Sequence, residues 1–102
     1  MGMSEGRIEQ RLVKGVKALG GLCWKFVSPG NNGVPDRIII FRGQIYFVEL
    51  KAPGKGLRTL QTHRCMELAK QGANVRTVST IEEADALIAE LQKGEAKEVH
   101  TS

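Results

Sequence analysis

The chain has 102 residues, of which 41% are hydrophobic and 25% charged, with a net charge of +4 and a pI of about 9.3. That length suits one domain with one core, and no apolar run approaches the ~20 residues needed to span a bilayer. The opening stretch from Met1 to Gln10 is polar and charged, with no hydrophobic signal region, so a soluble intracellular protein without a membrane partner is expected.

Ile8, Leu12, Val13, Val16 and Leu19 recur at helical spacing and predict a helix over about Glu5 to Leu19. Ser4 fits its N-cap, and Gly20-Gly21 stops it. Residues 22–27 suit a first strand, and the loop from Ser28 to Pro35 carries three turn signals. Two apolar runs rich in β-branched and aromatic residues then flank Arg42-Gly43, which is a hairpin signal. Ala52-Pro53-Gly54-Lys55-Gly56 is a second loop. A helix from about Thr59 to Gln71 follows, with Leu60, Met66, Leu68 and Ala69 as expected core residues. Val75 to Val78 is a fourth strand. Ser79 with Glu82, or Thr80 with Glu83, forms a capping box for a last helix over about Ile81 to Gln92. The domain is thus expected over 1–92, with residues 93–102 a polar, disordered tail.

The order is α-β-β-β-α-β-α, an α/β class. Ile38, Ile40, Ile45 and Phe47 share one face of the hairpin, and Ile39, Phe41, Tyr46, Val48 and Leu50 the other. Both faces are apolar, so helices or a partner chain must cover both.

A two-residue turn pairs Phe41 with Gln44 and, counting outward, Asp36 with Glu49. A four-residue turn keeps that register and a three-residue turn breaks it. Opposed like charges destabilise a strand pair. Either acid alone fits a turn or a frayed strand end, but both together make sense around a hard cation such as Mg2+. Strand alternation puts Lys51 on the same face as Glu49. Lys51, Lys55 and Arg58 crowd one glycine-containing segment, and Arg37, Arg42, His63 and Arg64 lie near it, which suits a polyanionic substrate.

Other candidates are weaker. Cys23 and Cys65 are too few for a disulfide scaffold and read as buried thiols. His63 and His100 have no partner at metal-ligand spacing. The glycines form neither a P-loop nor a dinucleotide fingerprint. Trp24 and Tyr46 have the chemistry to stack on bases, but core packing is the expectation for both.

Pro35-Asp36 followed by Glu49-Leu50-Lys51 resembles the PD-(D/E)XK nuclease signature. More narrowly, Gly33-Val34-Pro35-Asp36-Arg37, Phe47 to Gly54, Gln61, Ile8 to Lys14 and Leu19-Gly20-Gly21 resemble the VRR-NUC family, over about Glu5 to Ile88. The resemblance implies a nuclease core with a central mixed sheet and Mg2+ or Mn2+ at the carboxylates. It implies Asp36 and Glu49 as metal ligands, with the Leu50 carbonyl a further candidate. Lys51 would be the catalytic lysine, orienting or deprotonating water or stabilising the transition state. Gln61 would stand beside the site. The leading-helix glutamate falls on Glu9, a catalytic and further metal candidate, with Glu5 the alternative one turn earlier. Family members often carry Ser-Pro where this chain has Thr59-Leu60, which leaves Arg58 or Thr59 as the helix N-cap.

Short stand-alone members resemble Holliday junction resolvases of viral or prophage origin, which implies a bacterial or virus-infected cell. A four-way junction needs two symmetric nicks, so a homodimer is expected. The alternatives are a nuclease of flaps, nicked DNA or duplex, or a non-cleaving nucleic-acid binding module, against which the intact Asp36, Glu49 and Lys51 argue. Lys55, Arg58, Arg37, Ser28, Asn31 and Asn32 are the expected DNA contacts.

Overall fold

The computed structural model describes residues 4–94. Helix α1 (Glu5–Leu19) starts where the Ser4 hydroxyl accepts the Arg7 N–H at 3.2 Å and ends at Gly20, whose φ of 92° is left-handed. Strands β1 (Leu22–Lys25), β2 (Arg37–Phe41) and β3 (Gln44–Leu50) follow, then α2 (Thr59–Lys70), β4 (Asn74–Val78) and α3 (Ile81–Gly94). The element order is the expected one. The strands form one mixed sheet ordered β1-β2-β3-β4, with β4 parallel to β3 and the others antiparallel.

The hairpin register is the one the two-residue turn dictates: Phe41 pairs with Gln44 and Arg37 with Val48. Arg42 and Gly43 have φ of 48° and 81°, the doubly positive backbone of a type I′ turn. The β3-to-β4 connection through α2 is a parallel crossover, which carries α2 onto one face of the sheet.

The two faces differ. Ile39, Phe41, Tyr46, Val48 and Leu50 are buried with Ile8, Leu12 and Val16 of α1 and Ala84, Leu87 and Leu91 of α3. That face is the core. The other face meets α2 alone, and α2 has no fully buried residue. Leu60, Met66 and Ala69 are exposed and Leu68 half-buried, so the expected core positions of this helix are not core. The helix lies over polar site residues at the β4 side of the sheet instead. Trp24 departs from expectation for the same reason. It stands on the edge strand, on the part of the α2 face that the helix does not reach, and is 59% exposed. Tyr46 is buried, its hydroxyl donating to Glu90 at 2.6 Å.

Boundaries shift slightly. Strand β1 ends at Lys25, although the Phe26 N–H still donates to the Asp36 carbonyl at 2.9 Å. Helix α3 includes Lys93 and Gly94, which the sequence assigns to a tail; residues 95–102 lie outside the described residues. Of the two capping alternatives, Thr80 Oγ1 accepts the Glu83 N–H at 3.0 Å while Glu83 accepts from Ser79 at 2.7 Å. Both cysteines are half-buried, and burial pushes the Cys23 thiol up to about 11.

Candidate active site

Asp36 is pinned from both sides. Its carbonyl accepts from Phe26, and its Oδ2 accepts the Leu50 N–H at 2.9 Å. One step outward from the Arg37–Val48 pair, it faces Glu49, which pairs with Thr77 of β4 on its other side. Asp36 and Glu49 therefore share the sheet face opposite the core.

Glu49 is 1% exposed. Its Oε2 accepts from Gln61 Nε2 at 3.0 Å and lies 3.6 Å from Lys51 Nζ. Its Oε1 is buried with no hydrogen-bond partner, alone in this among side-chain atoms of the described residues. Burial, and next the Asp36 charge, push the Glu49 carboxyl up to about 7; Lys51 opposes this and Glu5 adds to it. An unsatisfied buried carboxylate beside a second acid is costly. A hard divalent cation relieves both problems, so the donor set fits Mg2+ or Mn2+. Among the described residues no group of three His, Cys, Asp or Glu side chains forms a cage, so backbone oxygen or water would complete such a shell. Mg2+ is usually held that way, by one or two carboxylates and several waters.

Lys51 is held where the sheet ends. Its N–H donates to the Val78 carbonyl at 3.0 Å, and only 15% of its side chain is exposed. Gln61 stands in the first turn of α2, where its Oε1 accepts the Arg58 N–H at 2.9 Å. This settles Arg58 as the N-cap and fixes the amide against Glu49. Gly33 has φ of 85°, and a Cβ there would stand 2.9 Å from Leu60 Cγ. Only glycine lets the first loop lie this close to α2.

The leading-helix acids divide. Glu9 accepts from Arg37 Nε at 2.8 Å, and Arg37 Nη1 donates to the Cys23 carbonyl at 3.1 Å. Arg37, expected on the DNA, is thus occupied within the fold. Glu5, one turn earlier, is the helix acid whose charge acts on Glu49. Lys55 and Arg58 are exposed beside the site, as are Asn31 and Asn32. Ser28 Oγ accepts from Asn31 Nδ2 at 3.0 Å, which ties the loop to itself. Arg64 is read from the sequence only as one of the basic residues near the site. It donates to the Asn32 carbonyl at 2.9 Å and anchors that loop on α2, a contact that no local spacing announces.

Comparison with known proteins agrees with this architecture. No family model matches the chain. A solved VRR_NUC domain superposes with a TM-score of 0.78 at 33% identity, covering 85% of this chain and 97% of that one. The putative nuclease p44 of Acyrthosiphon pisum secondary endosymbiont phage 1 is 54% identical over 52 residues. That match spans 50% of this chain and about half, 56%, of the phage protein. The sheet, its flanking helices and the acid-acid-lysine cluster define a PD-(D/E)XK-type core. The chain belongs to the VRR-NUC family.

Proposed function

We propose that the protein is a metal-dependent nuclease that hydrolyses DNA phosphodiester bonds, with Mg2+ or Mn2+ as cofactor. The unpartnered Glu49 Oε1, buried beside Asp36, carries this reading. Family membership and the phage relative's name as a putative nuclease support it. A bound divalent cation would supply an activated water and offset charge developing on the phosphate. Asp36 and Glu49 would hold it, with the Leu50 carbonyl and an α1 acid as further donors. Gln61 keeps the Glu49 carboxylate oriented. Lys51 holds an ammonium at the rim of the acid pair, where it would meet a scissile phosphate. Lys55 and Arg58, exposed on the adjoining loop, would grip flanking phosphates.

The substrate we favour is the four-way junction, cut by a homodimer. One small domain with one acid pair makes one nick, and a two-fold dimer supplies the matched second nick. One gel tests this: purified protein with a synthetic four-way junction and with linear duplex, in Mg2+ and in EDTA. Paired nicks in the junction only with metal are expected. Equal nicking of linear duplex would leave a nuclease of broader specificity, and no cleavage of any DNA would defeat the reading.

A further inference from the structure

On the face that carries Asp36 and Glu49, residues form rows across the strands. Beyond the acids comes the row Trp24, Ile38, Phe47, Val75, and beyond that Leu22, Ile40, Ile45. Phe26 packs against Phe47 at a tilt, with ring centroids 5.2 Å apart. The β1–β3 part of these rows contains no charged residue. Helix α2 leaves it open: Trp24, Ile45 and Leu22 are 59%, 46% and 42% exposed.

We propose that a second copy of the chain docks on this open face, sheet against sheet about a two-fold axis, next to the site. The inference rests on the dimeric reading above and names the surface that reading needs. Four observations favour this occupant. An isologous contact requires a patch compatible with itself, and an uncharged apolar sheet face meets its own copy without repulsion. Nucleic acid would call for cations among the apolar side chains, and these rows have none. Residues 95–102 read Glu-Ala-Lys-Glu-Val-His-Thr-Ser, too polar to cover the patch. A standard interface buries about 800 Å² per partner around a dry apolar centre, and exposed Trp24, Leu22 and Ile45, with half-buried Ile38 and Ile40 between them, supply such a centre.

Trp24 is the sole tryptophan, so it reports on this face without any substitution. The experiment follows molar mass by light scattering and Trp24 emission together, over a dilution series, with and without junction DNA. Trp24→Glu and Ile45→Arg are run beside the wild type, with circular dichroism to verify folding. Both positions are exposed, so folding should survive. The expected result is a wild-type dimer whose Trp24 emission moves to longer wavelength as it dissociates. The substitutions should weaken dimerisation by roughly thirtyfold or more, the loss of a central hot spot. Wild-type dimers that persist in both folded variants would overturn this interface and leave the dimeric nuclease standing. A wild type that stays monomeric, with Trp24 emission changing only on DNA addition, would overturn it in favour of a base-stacking surface. If a variant misfolds, the wild-type emission decides: no shift on dissociation overturns the proposal. A dimer built on this face that cleaves no DNA would uphold the interface and defeat the nuclease reading alone.

Discussion

Gln61 joins two elements with one side chain: its amide nitrogen donates to Glu49 Oε2 at 3.0 Å while its oxygen accepts the Arg58 N–H at 2.9 Å. The start of α2 and the orientation of a buried carboxylate are therefore one structural unit. Gln61→Ala should cost about 1 kcal/mol through the lost cap and reduce cleavage about tenfold or more by freeing Glu49. Urea unfolding and single-turnover cleavage measure the two separately. Unchanged cleavage would show that Glu49 is oriented without Gln61.

Asp36 and Glu49 oppose each other across the hairpin, and the Asp36 charge raises the Glu49 carboxyl. Glu49→Gln removes that repulsion. In EDTA at pH 8 the variant should unfold at a higher temperature than wild type, whereas Mg2+ should no longer stabilise it. Asp36→Asn should likewise lose the Mg2+ stabilisation. Both should abolish cleavage and preserve DNA binding. Thermal unfolding with and without Mg2+ is decisive, and a variant that cleaves at the wild-type rate would remove its residue from the site.

The Glu49 carboxyl, pushed up to about 7 by burial and then by Asp36, would make the proposed metal binding pH-dependent. In the unfolded chain the same group titrates near the ordinary ~4.3. Its stabilising contribution to the metal-free fold is complete below about pH 4 and is lost as pH rises through about 7. A cation must displace the same proton, so Mg2+ affinity should climb up to about tenfold per pH unit below 7 and level off above. Calorimetry in two buffers of different ionisation heat should detect close to one proton released at pH 6 and almost none at pH 8.5. Equal release at both would mean Glu49 is ionised throughout.

Some of this was readable from the sequence and some was not. The hairpin register follows from two apolar runs and an Arg-Gly turn, because a period of two and a tight loop leave little freedom. The grouping of Asp36, Glu49 and Lys51 on one face follows from that register. Helix α2 misled because apolar residues at helical spacing do not reveal whether the helix lies on a core or on a polar site. Trp24 misled because β-strand patterning does not say which strand is the edge or how far a crossover helix reaches. The Arg37–Glu9 pair joins residues from an early helix and the first hairpin strand, and only the folded chain brings them together.

Glu9 and Glu5 should separate by phenotype. Arg37 holds Glu9 in a half-buried ion pair, so Glu9→Gln should destabilise the fold by about 1–2 kcal/mol, less than a fully buried pair because both side chains keep some solvent. Glu5 is exposed, and its charge acts on Glu49, so Glu5→Gln should leave stability unchanged and alter cleavage and its metal dependence. Denaturant unfolding beside a Mg2+ titration of cleavage tests both. If Glu9→Gln leaves the fold at full stability yet abolishes cleavage, the helix acid of the site is Glu9.

Lys55 and Arg58 are exposed on the loop that leads from Lys51 into α2, on the side of the acid pair. Arg58 caps α2 through its backbone N–H, which leaves its guanidinium out of the cap. Each is therefore free to meet a phosphate, and binding a phosphate releases a counterion. Junction affinity should fall steeply with salt, and Lys55→Ala or Arg58→Ala should each flatten the log-log slope by about one unit. Linear duplex should bind more weakly than the junction, because it would offer the proposed homodimer only one of its two matched sites. Binding isotherms at several salt concentrations, on both substrates and with both variants, measure all of this in EDTA, where cleavage does not interfere. An unchanged slope in both variants would move the DNA path away from this loop, and equal affinity for the two substrates would count against junction selectivity.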